Sequence, residues 1–197
     1  MVLPGAQLFP HTLMPLFIFE PRYRAMLEWS LEQQRMFCIA PMKPGLSEAT
    51  SAEDFHHTVG IGLVRACVGH EDGTSHLVLQ GLSRVQITGF IQEYPFRVAE
   101  IREVTSEPAG PLEGPALTLK LLELCAHMQA RGATMPEKLD QQLTQIDDPA
   151  VLTDVLAHTF LADAEKRQAI FEEVKVALRA HLLIHYLLNG EEMGSGE

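Results

Sequence analysis

No segment of this 197-residue chain stays apolar for long. A bilayer-crossing helix needs about 20 consecutive apolar residues. Residues 13–19 are interrupted by Pro15, and residues 180–188 by His181 and His185. The opening MVLPGAQLFPH lacks a basic stretch followed by an apolar one, so it does not read as a secretory signal. Cysteine is scarce as well. Cys38, Cys67 and Cys125 are far apart, odd in number and never in CxxC spacing. That excludes a disulfide framework or a cysteine zinc site and suits small buried side chains in a reducing cytoplasm. Positive charge is also thin: 15 Lys and Arg stand against 26 Asp and Glu, a net −11. The deficit is uneven, −3 through Ser106 and −8 beyond it. Nucleic-acid binders need clustered cations, and anionic membranes repel such a surface, so neither partner is expected.

The usual catalytic signatures are missing too. There is no GxSxG elbow and no GxxxxGK[ST] phosphate loop. Val59-Gly60-Ile61-Gly62 resembles half a dinucleotide fingerprint, but no third glycine or helix follows; close strand packing or a bulge explains it better. Asp147-Asp148 and Glu172-Glu173 sit at helix ends, where capping and solvation account for them. The nine histidines form no ligand set. His56-His57 reads as a solvated pair beside a polar loop. His70 and His76 flank a turn and could face each other, but no third ligand is evident. His181 and His185 are i, i+4, yet Leu182 stands where a zincin helix needs its glutamate. No catalytic residue, metal ligand or cofactor is therefore expected.

What is present divides in two. Up to about Val104 the signals are those of strands. Residues 37–40 form a short apolar run. Residues 58–68, TVGIGLVRACV, carry apolar side chains on both faces. Asp72-Gly73 between apolar runs signals a hairpin. HLVLQG, residues 83–91 and residues 96–104 read as separate strands, and short strands with close turns suggest a small barrel. One helix interrupts them, started by Pro21 and striped by Tyr23, Met26, Leu27 and Leu31.

EPAGPLEGP, residues 107–115, breaks both patterns. Beyond it the period is 3.6. Leu117, Leu121, Leu124, Cys125 and Met128 make a stripe ending at Gly132, and residues 136–143 form a shorter helix. Asp148-Pro149 launches residues 150–160, Asp163 caps residues 164–172, and a last helix covers residues 174–188 up to Asn189-Gly190. Short connections imply a helical bundle. The expected class is α+β: a barrel with one early helix over 1–106, a linker over 107–114, a bundle over 115–190 and a flexible tail over 191–197.

The skeleton L-F-P-x-x-x-x-P-L-x-I-F-E-P-R-Y-R-x-M-L, residues 8–27, resembles the opening of the Lon protease N-terminal, substrate-binding domain in its stand-alone bacterial form. MFCIAPMKPG, TVGIGLVRACV, LVLQGLSRVQI and the stretch DDPAVLTDVLAHTFLADAEKRQAIFE are similar to later parts of that family, so the likeness runs through nearly the whole chain. It implies a PUA-like β-barrel followed by a helical bundle. It also implies a non-catalytic module that binds unfolded or tagged polypeptides and works with a separate AAA+ protease, because no ATPase or Ser–Lys protease domain is expected in this chain. A peptidase S16 label would then describe ancestry. The alternative is a small-ligand binder or an enzyme with an unrecognised pocket. Two positions depart from the family: His11 stands where glycine is frequent, and Phe17 where polar residues are. Pro15, Phe19, Pro21 and Tyr23 fit a structural strand-to-helix turn, and Phe17, Arg22 and Tyr23 are the candidate peptide contacts.

Overall fold

The computed structural model describes residues 1–189 apart from 47, 50 and 136. The tail over 191–197 and the helix stop at Gly190 lie outside the described residues. The chain separates into two compact units, Met1–Val104 and a second from Thr105 onward.

In the first unit, β1 (Val2–Pro4), β2 (Leu13–Ile18), α1 (Pro21–Glu32), β3 (Met36–Met42), β4 (Thr58–Gly69), β5 (Ser75–Gln92) and β6 (Val98–Glu103) follow in order. The sheet runs β1-β3-β4-β5-β2, with β6 also paired to β5. All pairings are antiparallel except β1 with β3. The class is therefore mixed α and β, but the expected barrel does not close: β1 and β2 end the strand order, and no pairing joins them.

A second expectation is also corrected. HLVLQG and residues 83–91 are one strand, β5, which pairs β2 along its first half, β6 along its second and β4 along both. The chain passes through a bulge there instead of turning. Ile61 pairs with Ser83 and Gly62 with Gly81, so Leu82 is skipped and points to solvent. Glycine is required on both sides of this shift. A Cβ on Gly81 would overlap the Phe9 carbonyl oxygen, and one on Gly60 the Leu8 carbonyl oxygen. Leu8 itself is fully buried with Ile18, Ile39 and Leu79. Asp72-Gly73 does form the expected turn, with Gly73 at φ 78° and His70 N donating to Thr74 O at 2.8 Å. Tyr23, Met26 and Leu27 bury the predicted face of α1.

The second unit comprises α2 (Glu113–Ala130), α3 (Glu137–Leu143), α4 (Pro149–Phe160), α5 (Ala164–Glu172) and α6 (Val176–Asn189). Asp148 caps α4 by accepting from Ala150 N at 2.8 Å, and Asp163 caps α5 by accepting from Lys166 N at 2.9 Å. The α6 helix begins two residues later than its pattern suggests, because Val174 O accepts from Glu107 N and Glu107 O accepts from Val176 N. At the centre Arg179, wholly buried, faces Asp154 at 3.6 Å and donates to Ser106 Oγ and Glu173 O. Removing either charge would strand the other in a low-dielectric core.

Candidate functional site

The first unit carries a groove of about 550 Å³ built from α1, β1 and the segment before β6. An adjoining hollow of about 340 Å³ shares Met1, Val2, Met26, Phe96 and Arg97 with it, so the two border on the same side chains. Its character follows from the side chains. Met1 and Met26 supply flexible apolar surface. Trp29, on α1 outside the buried stripe, is 45% exposed and packs on Phe96 with ring centroids 5.9 Å apart. Tyr94 stands almost fully exposed at the edge.

Both arginines at the groove are paired with glutamates, and Glu48 lines it as well. Arg22 Nη2 meets Glu20 Oε2 at 2.8 Å and its guanidinium lies 4.7 Å from the Tyr23 ring centroid. Arg97 Nε meets Glu93 Oε2 at 3.0 Å and lies over the Phe55 ring at 5.5 Å. Such pairs at an exposed rim contribute little to stability but orient what approaches. Tyr23 is anchored from within: its hydroxyl donates to Val2 O at 3.0 Å and accepts from Val2 N at 3.2 Å. Burial pushes that hydroxyl's pKa above its ordinary value. The Met1 ammonium donates to Cys38 O at 2.8 Å, and loss of solvent around it lowers its pKa from 8.0 to about 6. Burial raises the Cys38 thiol.

Of the three residues singled out from sequence, the structure brings Arg22 and Tyr23 to this groove and places Phe17 elsewhere. Phe17 points outward from β2, 47% exposed, and lines a shallow hollow of about 440 Å³ with Val68 and Val78. Its ring stacks on His76 at 4.6 Å and lies 5.8 Å from Phe19. Trp29, Phe96, Met26 and Arg97 were missed by sequence reasoning. One signal for them exists: Trp29, the single tryptophan of the chain, falls off the apolar stripe of its own helix.

His57 corrects the expectation of a solvated pair; it is half-buried, with Nε2 2.8 Å from Ala52 O. Among the described residues, no group of three or more His, Cys, Asp or Glu side chains is placed to hold a metal ion. No described helix is long and apolar enough to cross a membrane.

Comparison with known proteins matches the chain over residues 1–189 to the family model of the ATP-dependent protease La (LON) substrate-binding domain. Lon protease of Xanthomonas oryzae pv. oryzae is 26% identical over 184 residues, covering 93% of this chain and 22% of that protein. Lon protease of Desulfosudis oleivorans is 24% identical over 180 residues, covering 91% and 22%. The chain thus spans about a fifth of the length of these relatives. Among solved structures, the N-terminal domain of Mycobacterium avium complex Lon protease superposes with TM-score 0.73 at 21% identity, covering 96% of both chains. A Lon N-terminal domain protein from Xanthomonas campestris gives 0.65 at 16%, covering 94% and 96%. These likenesses establish the Lon N-terminal-domain fold, and the family match, running through every described element, makes the chain a member of the LON substrate-binding domain family.

Proposed function

We propose that this chain is a non-catalytic polypeptide-binding module whose groove between α1 and the Tyr94–Phe96 segment takes exposed apolar stretches of unfolded or tagged proteins. One observation carries the reading: Trp29, Phe96, Met26 and Met1 together form an apolar floor, with both rim arginines already paired to glutamates. Aromatic and methionine side chains are the usual anchors of adaptable peptide surfaces. A catalytic or small-ligand pocket calls instead for convergent polar groups free to engage substrate. Here Arg22 is held by Glu20 and Arg97 by Glu93. Arg22 and Tyr23 would touch the peptide at the groove, and Phe17 would do so from the β2 face. The family supports this role, and with it a cytoplasmic setting, a division of labour between residues 1–106 and 115–190, and clients passed to a separate AAA+ protease. The net charge of −11 favours protein clients over nucleic acid or anionic lipid.

The test is a titration of the chain with a permanently unfolded, casein-like polypeptide and with apolar peptides, without nucleotide. Saturable binding is expected. A linear, non-saturating response over the accessible range removes the reading.

A further inference from the structure

The turn joining β4 to β5 carries an imidazole on each side. His70 Nε2 and His76 Nδ1 lie 2.8 Å apart, with the rings at 90° and their centroids 5.0 Å apart. The backbone beneath them is tied down. His70 N donates to Thr74 O at 2.8 Å, Gly73 N donates to His70 O at 2.9 Å, and Asp72 Oδ1 accepts from both N and Oγ1 of Thr74. Phe17 stacks on the His76 ring, with centroids 4.6 Å apart. Both histidines are solvent-exposed. The charges nearby are mixed: the Asp72 carboxylate, held below its usual range by its bonds to Thr74, and the Arg24 guanidinium packed against Gly73.

With nothing bound, this contact holds one proton between two nitrogens. A metal ion with adjacent open positions can take that proton's place. Two nitrogens each about 2.0 Å from one ion and at right angles lie about 2.8 Å apart, whereas tetrahedral donors at that bond length lie about 3.3 Å apart. The observed spacing is that of the hydrogen bond between the rings, and a small opening of the pair admits an ion; for nitrogen donors the affinity order rises to Ni(II) and Cu(II) and falls again at zinc. We propose that His70 and His76 form a bidentate site on the β4–β5 hairpin for a divalent late transition-metal ion, Cu(II) or Ni(II). In the bound state His70 keeps its proton on Nδ1 and His76 on Nε2, so both facing lone pairs are free. Among the described residues no side chain completes a three-ligand set, and water occupies the remaining positions. The site is separate from the peptide groove, since neither histidine lines it.

His181 and His185, one turn apart and exposed on α6, make a second two-histidine spacing. The experiment therefore starts from the full chain carrying His181→Ala and His185→Ala. Copper(II) or nickel(II) salt alone is titrated calorimetrically at about pH 7.5, a value at which free imidazole is neutral. One ion per chain is expected. His70→Ala or His76→Ala should each weaken it about tenfold or more, because losing a ligand costs at least as much as losing an outer-shell partner. Acidification to about pH 5 should release it, since protons compete for imidazole nitrogens. The Cu(II) electron paramagnetic resonance spectrum should show two imidazole nitrogens. Unchanged affinity in both hairpin variants, or no saturable binding by the starting chain, overturns the proposal.

Discussion

The Tyr23 hydroxyl and the backbone of Val2 are joined by two hydrogen bonds, one in each direction, at 3.0 and 3.2 Å. A helix side chain thereby replaces the neighbour that β1 lacks on its open side, while its other side pairs with β3 from Val2↔Ala40 onward. Tyr23→Phe keeps the ring in the core and leaves both Val2 groups unpaired. A loss of about 1–3 kcal/mol is expected, the net worth of two hydrogen bonds at a part-buried site. Urea unfolding with an unchanged m-value measures it. A variant as stable as the parent would show that water replaces the hydroxyl at no cost.

The glycines of β4 and β5 give a larger effect. At Gly60 and Gly81 a methyl group would meet backbone carbonyls of Leu8 and Phe9, which cannot rotate away. Gly60→Ala and Gly81→Ala should each cost about 3 kcal/mol or more, at the upper end of overpacking penalties. Gly45→Ala is an informative contrast. Its added methyl meets nothing within 4 Å, but φ is +81°, so only the left-handed backbone penalty of about 1 kcal/mol applies. Thermal melts of the three variants should rank accordingly.

Much of this was legible in the sequence because it is local. Pro21, Asp148 and Asp163 start helices through their own φ or their own carboxylates, and Asp72-Gly73 turns the chain by itself. The close packing of Gly60 was legible as a glycine where a strand needs none. The continuity of β5 was not, because it depends on a bulge against β4 that skips Leu82, a relationship with residues some 20 positions away. The groove was hidden for the same reason: Trp29 and Phe96 meet only through the fold. The open sheet likewise follows from β2 and β6 sharing one long partner, which no strand pattern announces.

His11 is a residue in the left-handed region, at φ 64°, held there by His11 N donating to Gly81 O at 3.0 Å. Glycine adopts this left-handed conformation at no steric cost, so the position suits it. The left-handed cost of about 1–2 kcal/mol is partly offset by the extra chain entropy of glycine in the unfolded state, so His11→Gly should stabilise by roughly 0.5–1 kcal/mol. His11→Val should destabilise, because a β-branched side chain tolerates this region least. Denaturation midpoints decide between a strained and a relaxed turn.

Stability should rise from about pH 6 to about pH 8. The Met1 ammonium has its pKa lowered from 8.0 to about 6 in the folded chain, so between these values the unfolded chain binds more protons. Each tenfold loss of proton affinity on folding corresponds to about 1.4 kcal/mol, so the gain is about 1–3 kcal/mol. It is present above the unfolded pKa and lost as pH falls through the folded one. His158, lowered by burial and by Arg167, acts in the same direction below 6.5. Acetylating the α-amino group separates the two: the acetylated chain should keep only the histidine part. An identical pH profile before and after acetylation would refute the Met1 assignment.

Trp29 makes the groove its own reporter. It is the chain's single tryptophan and stands 45% exposed at the proposed peptide floor, so its emission should shift to the blue as an apolar segment covers it. Buried aromatic anchors dominate interfaces, and Trp29→Ala should weaken polypeptide binding about tenfold or more, near 1.4 kcal/mol. Because the side chain is half outside the core, unfolding stability should change by less than about 1 kcal/mol. Phe17→Ala tests the other surface, since Phe17 lines the β2 hollow and not the groove. If Trp29→Ala abolishes binding while Phe17→Ala leaves it intact, the groove alone carries the client. If Phe17→Ala is as damaging, a client must span both faces of the first unit, and only a long unfolded chain, not a short peptide, should then bind well.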